Sequence, residues 1–100
     1  LDFPDYTVDE LMEIAKLMAR RQMYTFDEES KAAFREYLEL RIAQPHFANA
    51  RSVRNAIDRM KLRQASRLVR RGGLVSREEL LRFDAADIRQ SRVFQAGAKP

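Results

Sequence analysis

Arg51 and Arg54 are the residues best spaced to act on a ligand. They follow Asn49-Ala50, where the hydrophobic periodicity starts a helix. Three residues apart, they lie near one helix face. A cation in a first helical turn opposes the dipole, at a cost of a few tenths of a kcal/mol to about one. The N–H groups of that turn also lack intrahelical partners and point outward. A phosphate in front of the helix would be met by both features, so Asn49, Ala50, Arg51 and Arg54 form a candidate anion site. The alternative is that Arg51 is one more solvated surface arginine.

The remaining chemistry-bearing residues support less. There is no GxxxxGK[ST] loop to cradle phosphates, because the three glycines stand at 72, 73 and 97 without a following Lys-Ser or Lys-Thr. Tyr24-Thr25-Phe26-Asp27-Glu28 and Tyr6-Thr7-Val8-Asp9-Glu10 imitate an acidic, ATP-hydrolysing strand end. Both read better as helix starts, where acids complement the dipole. His46 is the one histidine and has no Ser or Cys partner set, so it reads as a loop residue. With no Cys and no second His, a metal site is not expected, and no catalytic residue is assigned within the chain. Met12, Met18, Met23 and Met60 read as core filler.

Charge is concentrated in one element. Residues 49–71 hold eight basic side chains and one acid, a net +7, whereas the remainder holds 11 bases and 14 acids. Arg59, Arg63, Arg67 and Arg70 recur on one helical face and form a candidate interface with an acidic partner. The same stripe would suit phosphates, so a basic helical nucleic-acid-binding module is one reading. Against it, the helix lacks a Gln/Asn-rich face for reading bases.

Helices must position these groups. Thr7 and Glu10 make a capping box, with Tyr6 and Leu11 spaced for a hydrophobic staple, opening helix one at about 8–22. Asp27 caps helix two, whose apolar stripe is Phe34, Tyr37, Leu38 and Ile42 and which Pro45 ends. Asn49 caps helix three, and Gly72-Gly73 stops it. Its apolar face, Val53, Ile57, Met60, Gln64 and Leu68, has one polar break. Ser76 and Glu79 form a second capping box for a short helix at about 77–82, and Asp84 caps another through Ile88 and Arg89. The fold class is therefore all-α: a small antiparallel helical bundle of three main helices and a short C-terminal pair. Phe34, Tyr37, Leu38, Val53, Ile57 and Met60 should be central to its core.

Composition agrees. One hundred residues, 45% hydrophobic and 34% charged, fit one globular domain with no membrane span and no signal-peptide pattern. The opening Leu1-Asp2-Phe3-Pro4 reads as the start of an excised segment, with Leu1 to Phe3 as the end of a strand.

The run Phe47 to Leu68, FANARSVRNAIDRMKLRQASRL, resembles the sensor-2 region of CbbX-type AAA+ proteins, the red-type Rubisco activases. Phe3-Pro4-Asp5-Tyr6-Thr7 with Glu10-Leu11 is similar to their junction from core to lid, and the resemblance extends to Ser91-Arg92-Val93-Phe94. The connector Val69 to Leu81 is less recognisable, and no function is carried onto it. The resemblance implies a hinge at 1–7, an AAA+ helical lid at 8–94 and a flexible tail at 95–100. It makes Arg51 the sensor-2 arginine, beside Arg54, of an ATPase using ATP with Mg. It further implies a homo-hexamer whose lid contacts its own core and neighbouring subunits and which remodels inhibited Rubisco. Ribulose bisphosphate would be an allosteric ligand, with no site assignable here. The setting would be a bacterial cytoplasm or plastid stroma. A related AAA+ protein of sporulation or type VII secretion would share this lid.

Overall fold

A computed structural model describes residues 6–44, 47–91 and 93–94. The expected strand end at Leu1 to Phe3, most of the hinge, Pro45, His46 and the tail at 95–100 lie outside the described residues. Five helices and two very short strands follow in order: α1 (Val8–Arg21), β1 (Thr25–Phe26), α2 (Glu28–Ile42), α3 (Ala50–Arg71), α4 (Arg77–Leu80), β2 (Arg82–Phe83) and α5 (Ala85–Arg89).

The helix starts follow from side-chain caps. The Thr7 hydroxyl accepts from the Glu10 N–H at 3.1 Å while the Glu10 carboxylate accepts from the Thr7 N–H at 2.8 Å. Asp27 accepts from the Ser30 N–H at 2.7 Å, and Ser76 with Glu79 repeats the reciprocal pair at α4. Each cap satisfies donors that the helix leaves open. Asp9 and Glu28 thus sit in first turns and Asp27 caps one, as the dipole argument requires. α1 ends where Met23 takes φ 68°, and its N–H and that of Tyr24 return to the carbonyls of Arg20 and Ala19, both at 2.9 Å.

α1 packs against α2 and α3, and α5 packs against both α2 and α3. The core lies between them. Phe34, Leu38 and Val53 are fully buried, and Tyr37, Ile57 and Met60 nearly so. Each such side chain contributes about 1.5–3 kcal/mol relative to an exposed one. Leu11, Ala15, Ala33, Phe83 and Ile88 complete the cluster.

Three expectations are corrected. Ile42 is 37% exposed, because α2 ends there beyond the last turn that meets the core. Met23 is 61% exposed: its left-handed turn carries it out of the bundle, while Met12 and Met60 are buried. The short helix expected to reach residue 82 stops at Leu80, because Leu81 and the strand after it turn to pair with β1.

That pairing is parallel, with Thr25 opposite Arg82 and Phe26 opposite Phe83, and the Thr25 N–H donates to the Leu81 carbonyl at 2.7 Å. It brings together an aromatic group. Tyr24 stacks on Phe83 at 4.8 Å between centroids, and Phe26 meets Phe83 at 5.4 Å and Phe34 at 5.6 Å. Such pairs add about 0.5–1.5 kcal/mol each beyond burial. Gln64, the polar break on α3, lies 2% exposed beneath this connection. Its amide nitrogen donates to the carbonyls of Leu80, Arg82 and Glu79 at 2.8, 3.0 and 3.2 Å.

Candidate functional site: the basic helix α3

α3 is 22 residues long, and one face anchors it: Ser52, Val53, Ala56, Ile57, Met60, Gln64 and Leu68 are all buried. The opposite face is therefore held toward solvent. Arg51 stands in the first turn and Arg54 one turn on; both are exposed, and neither forms an ion pair among the described residues. A guanidinium at a helix start, unneutralised and against the dipole, is an arrangement that an incoming anion would relieve.

The chain enters this helix in an unusual way. Asn49 has φ 46° and ψ −116°, a left-handed conformation that costs a non-glycine residue about 1–3 kcal/mol. This geometry corrects the expected cap: the Asn49 side chain accepts no hydrogen bond from the first turn. Its Oδ1 is buried without a partner instead. The local bonding passes to neighbours. The Ser52 hydroxyl accepts from the Ala48 N–H at 2.8 Å, the Arg51 N–H donates to the Ala48 carbonyl at 3.1 Å, and the Val53 N–H to the Asn49 carbonyl at 3.0 Å. Phe47 packs against the core with the Arg41 guanidinium 5.6 Å from its ring centroid, which fixes the approach to α3.

The four arginines of the expected stripe divide into two kinds. Arg67 is turned into the fold. Its Nε and Nη2 donate to the two carboxylate oxygens of Asp87 at 2.9 and 3.1 Å, and its Nη1 lies 3.2 Å from Asp84. Asp87 is 1% exposed and also accepts from the Asp84 N–H at 2.9 Å. These hydrogen bonds to the Asp87 carboxylate push the Arg67 pKa up. Arg63 is half-buried and donates to the Asp87 carbonyl at 3.1 Å. Burial, with repulsion from Arg59, pushes its pKa down. Arg59 and Arg70 remain exposed. Four equivalent outward cations were expected; α5, arriving from 20 residues away, supplies Asp87 and takes two of them. Reversing Arg63 and Arg67 to Glu would therefore strike the α3–α5 contact within the domain.

Asp87 was not singled out by the sequence reading, and Gln64 was placed on the buried face without a partner being assigned to it. The signal for Gln64 was its position as the polar break in an apolar stripe. For Asp87 it was the Asp84-x-x-Asp87 spacing, a reciprocal cap whose second acid can face inward. Among the described residues no helix is long and apolar enough to cross a membrane, and no three potential metal-binding side chains stand together.

Comparison with known proteins gives the family. The model for the AAA lid domain matches residues 7–97. Protein CbxX, plasmid, of Cupriavidus necator is 54% identical over 99 residues, covering 98% of this chain and 31% of that protein. Protein CfxQ of Xanthobacter flavus is 54% identical over 97 residues, covering 97% and 31% respectively. The CfxQ homolog of Pyropia yezoensis is 52% identical over 95 residues, covering 94% of this chain and 32% of that protein. The chain spans about a third of the length of these relatives. With a family model matching nearly the whole helical domain and identities of 54% to CbxX and CfxQ, the chain belongs to the AAA lid domain family, in its CbxX/CfxQ-type branch.

Proposed function

We propose that this domain closes over the nucleotide of an AAA+ ATPase of CbbX type and that Arg51 is its sensor-2 arginine, contacting the phosphates of ATP. The observation carrying this reading is an exposed first-turn guanidinium, on the longest helix, that no carboxylate of the described residues neutralises. An arginine fits there because its planar fork meets phosphate oxygens in pairs. The chain would supply that contact and the rigid helix behind it. The P-loop, the Mg-binding carboxylates and the attacking water would belong to the core of the same ATPase. On this reading the lid's partners are that core and the neighbouring subunits of a homo-hexamer. The remodelled substrate is inhibited Rubisco, as the resemblance to the CbbX family implies. Similarity to CbxX and CfxQ favours this branch over the sporulation or secretion relatives. The nucleic-acid reading is disfavoured, since Asp87 occupies Arg67 and part of Arg63.

ATP turnover of the whole ATPase tests the assignment. Arg51→Ala should lower kcat/KM by about 10–100-fold, the size of one lost charge-assisted phosphate contact of about 1.5–3 kcal/mol. The unfolding free energy of the lid should stay within about 0.5 kcal/mol of the parent, because Arg51 is exposed. Arg54→Ala is the comparison. Unchanged turnover in Arg51→Ala with loss in Arg54→Ala would move the role one turn along α3.

A further inference from the structure

The solvent face of α3 does not end with its arginines. Leu62 is 71% exposed and Val69 79%. Seven residues apart, they lie on one face, with Ala65 and Ser66 exposed between them. Together they floor an open groove, walled by Arg63 and Arg70 of α3 and by Gln90 at the end of α5. Single exposed aliphatics are ordinary. Here two of them align along the longest helix, beside a margin on which Arg59, Arg63 and Arg70 recur at helical spacing. Arg59 and Arg70 meet no carboxylate among the described residues.

We propose that this groove docks an acidic amphipathic helix of a protein partner. Leu62 and Val69 are about 10.5 Å apart along the helix, at 1.5 Å per residue, which is the separation of anchors at i and i+7 on a second helix. The partner's aliphatic side chains cover Leu62, Ala65 and Val69, and its carboxylates lie against the exposed Arg59 and Arg70. Charge complementarity selects an acidic occupant over a basic one and speeds encounter. The apolar floor selects protein over nucleic acid, because a phosphate backbone gains from the cations but leaves Leu62 and Val69 uncovered. This surface is separate from the Arg51 site, and its test does not involve nucleotide.

The probe is a synthetic helical peptide with leucines at i, i+4 and i+7 flanked by glutamates. Its counterpart carries lysine at every glutamate position. Each is titrated into the isotope-labelled chain and followed by amide NMR. The acidic peptide should bind saturably, with shifts confined to residues around Leu62, Ala65, Val69 and Gln90, and the lysine peptide should not bind. Leu62→Glu or Val69→Glu should weaken binding by about tenfold or more, the effect of losing one interface anchor. Arg70→Glu should weaken it and flatten its salt dependence. All three positions are exposed, so the variants should keep the parent's unfolding midpoint; Leu62→Ser serves if a glutamate variant does not. Equal binding of both peptides, no saturation, or shifts elsewhere would overturn the proposal. So would tighter capture of duplex DNA by the same residues, or self-association of the chain through the groove.

Discussion

Replacing Gln64 with leucine would make the buried face of α3 uniformly apolar, and on pattern alone it should stabilise the domain. The structure predicts the opposite. The two N–H bonds of the Gln64 amide are shared by three carbonyls, those of Leu80, Arg82 and Glu79, at 2.8, 3.0 and 3.2 Å. A leucine donates nothing, so about two hydrogen bonds of about 1 kcal/mol each are lost, and any carbonyl that water cannot reach costs about 1–3 kcal/mol. Apolar burial of the new side chain returns about 1 kcal/mol. The net loss is about 1–4 kcal/mol, or a fall in midpoint of about 5–30 °C for a domain of this size. Urea unfolding of the chain measures it, with an unchanged slope showing that the unfolded state is not altered. Gln64→Glu should be worse at neutral pH, since a carboxylate would face three carbonyls without a donor. A Gln64→Leu variant as stable as the parent would refute the view that this amide ties α3 to the α4–β2 connection.

Asn49→Gly should stabilise the chain by about 1 kcal/mol in the same assay, because glycine accepts the positive φ and removes the buried unpartnered Oδ1. Asn49→Ala, which keeps the strain, should fall below Asn49→Gly. Glu79 gives a pH signature. The Arg71 guanidinium and the Ser76 N–H hold its carboxyl down at about 2, from an ordinary 4.5. A depressed pKa contributes stability that is complete above about pH 4.5 and is lost as pH falls toward 2. Glu79→Gln should therefore be less stable than the parent near neutrality, with the two converging below about pH 2 in thermal scans.

Local features of this fold were legible in the sequence, and non-local ones were not. Thr7, Asp27 and Ser76 announce helix starts because a cap and its partner lie three residues apart, within one turn. Gly72 and Gly73 announce a stop because both take positive φ. The strand pair of Thr25–Phe26 with Arg82–Phe83 joins segments more than 50 residues apart, and two residues are too few to show an alternating pattern. The burial of Asp87 against Arg67 likewise depends on how α5 docks. At the candidate site, Arg51 and Arg54 lie at the surface at the start of the expected helix, whereas Asn49 keeps the position of a cap without its bonding. Nothing in residue type distinguishes an asparagine that caps from one held at φ 46°.

The length of α3 has a mechanical consequence. Twenty-two residues make a rod about 33 Å long, with Arg51 near one end and Val69 near the other. Gln64, Arg67 and the buried stripe fasten it to the rest of the domain along most of that length. Any rotation of the lid would therefore carry α3 with it as a lever arm. A tilt of about 10° at the Arg51 end carries Leu62 through about 3 Å and Val69 through about 5 Å. On the proposed sensor-2 reading, a small adjustment at the Arg51 end becomes, at the groove around Leu62 and Val69, a displacement of several ångströms.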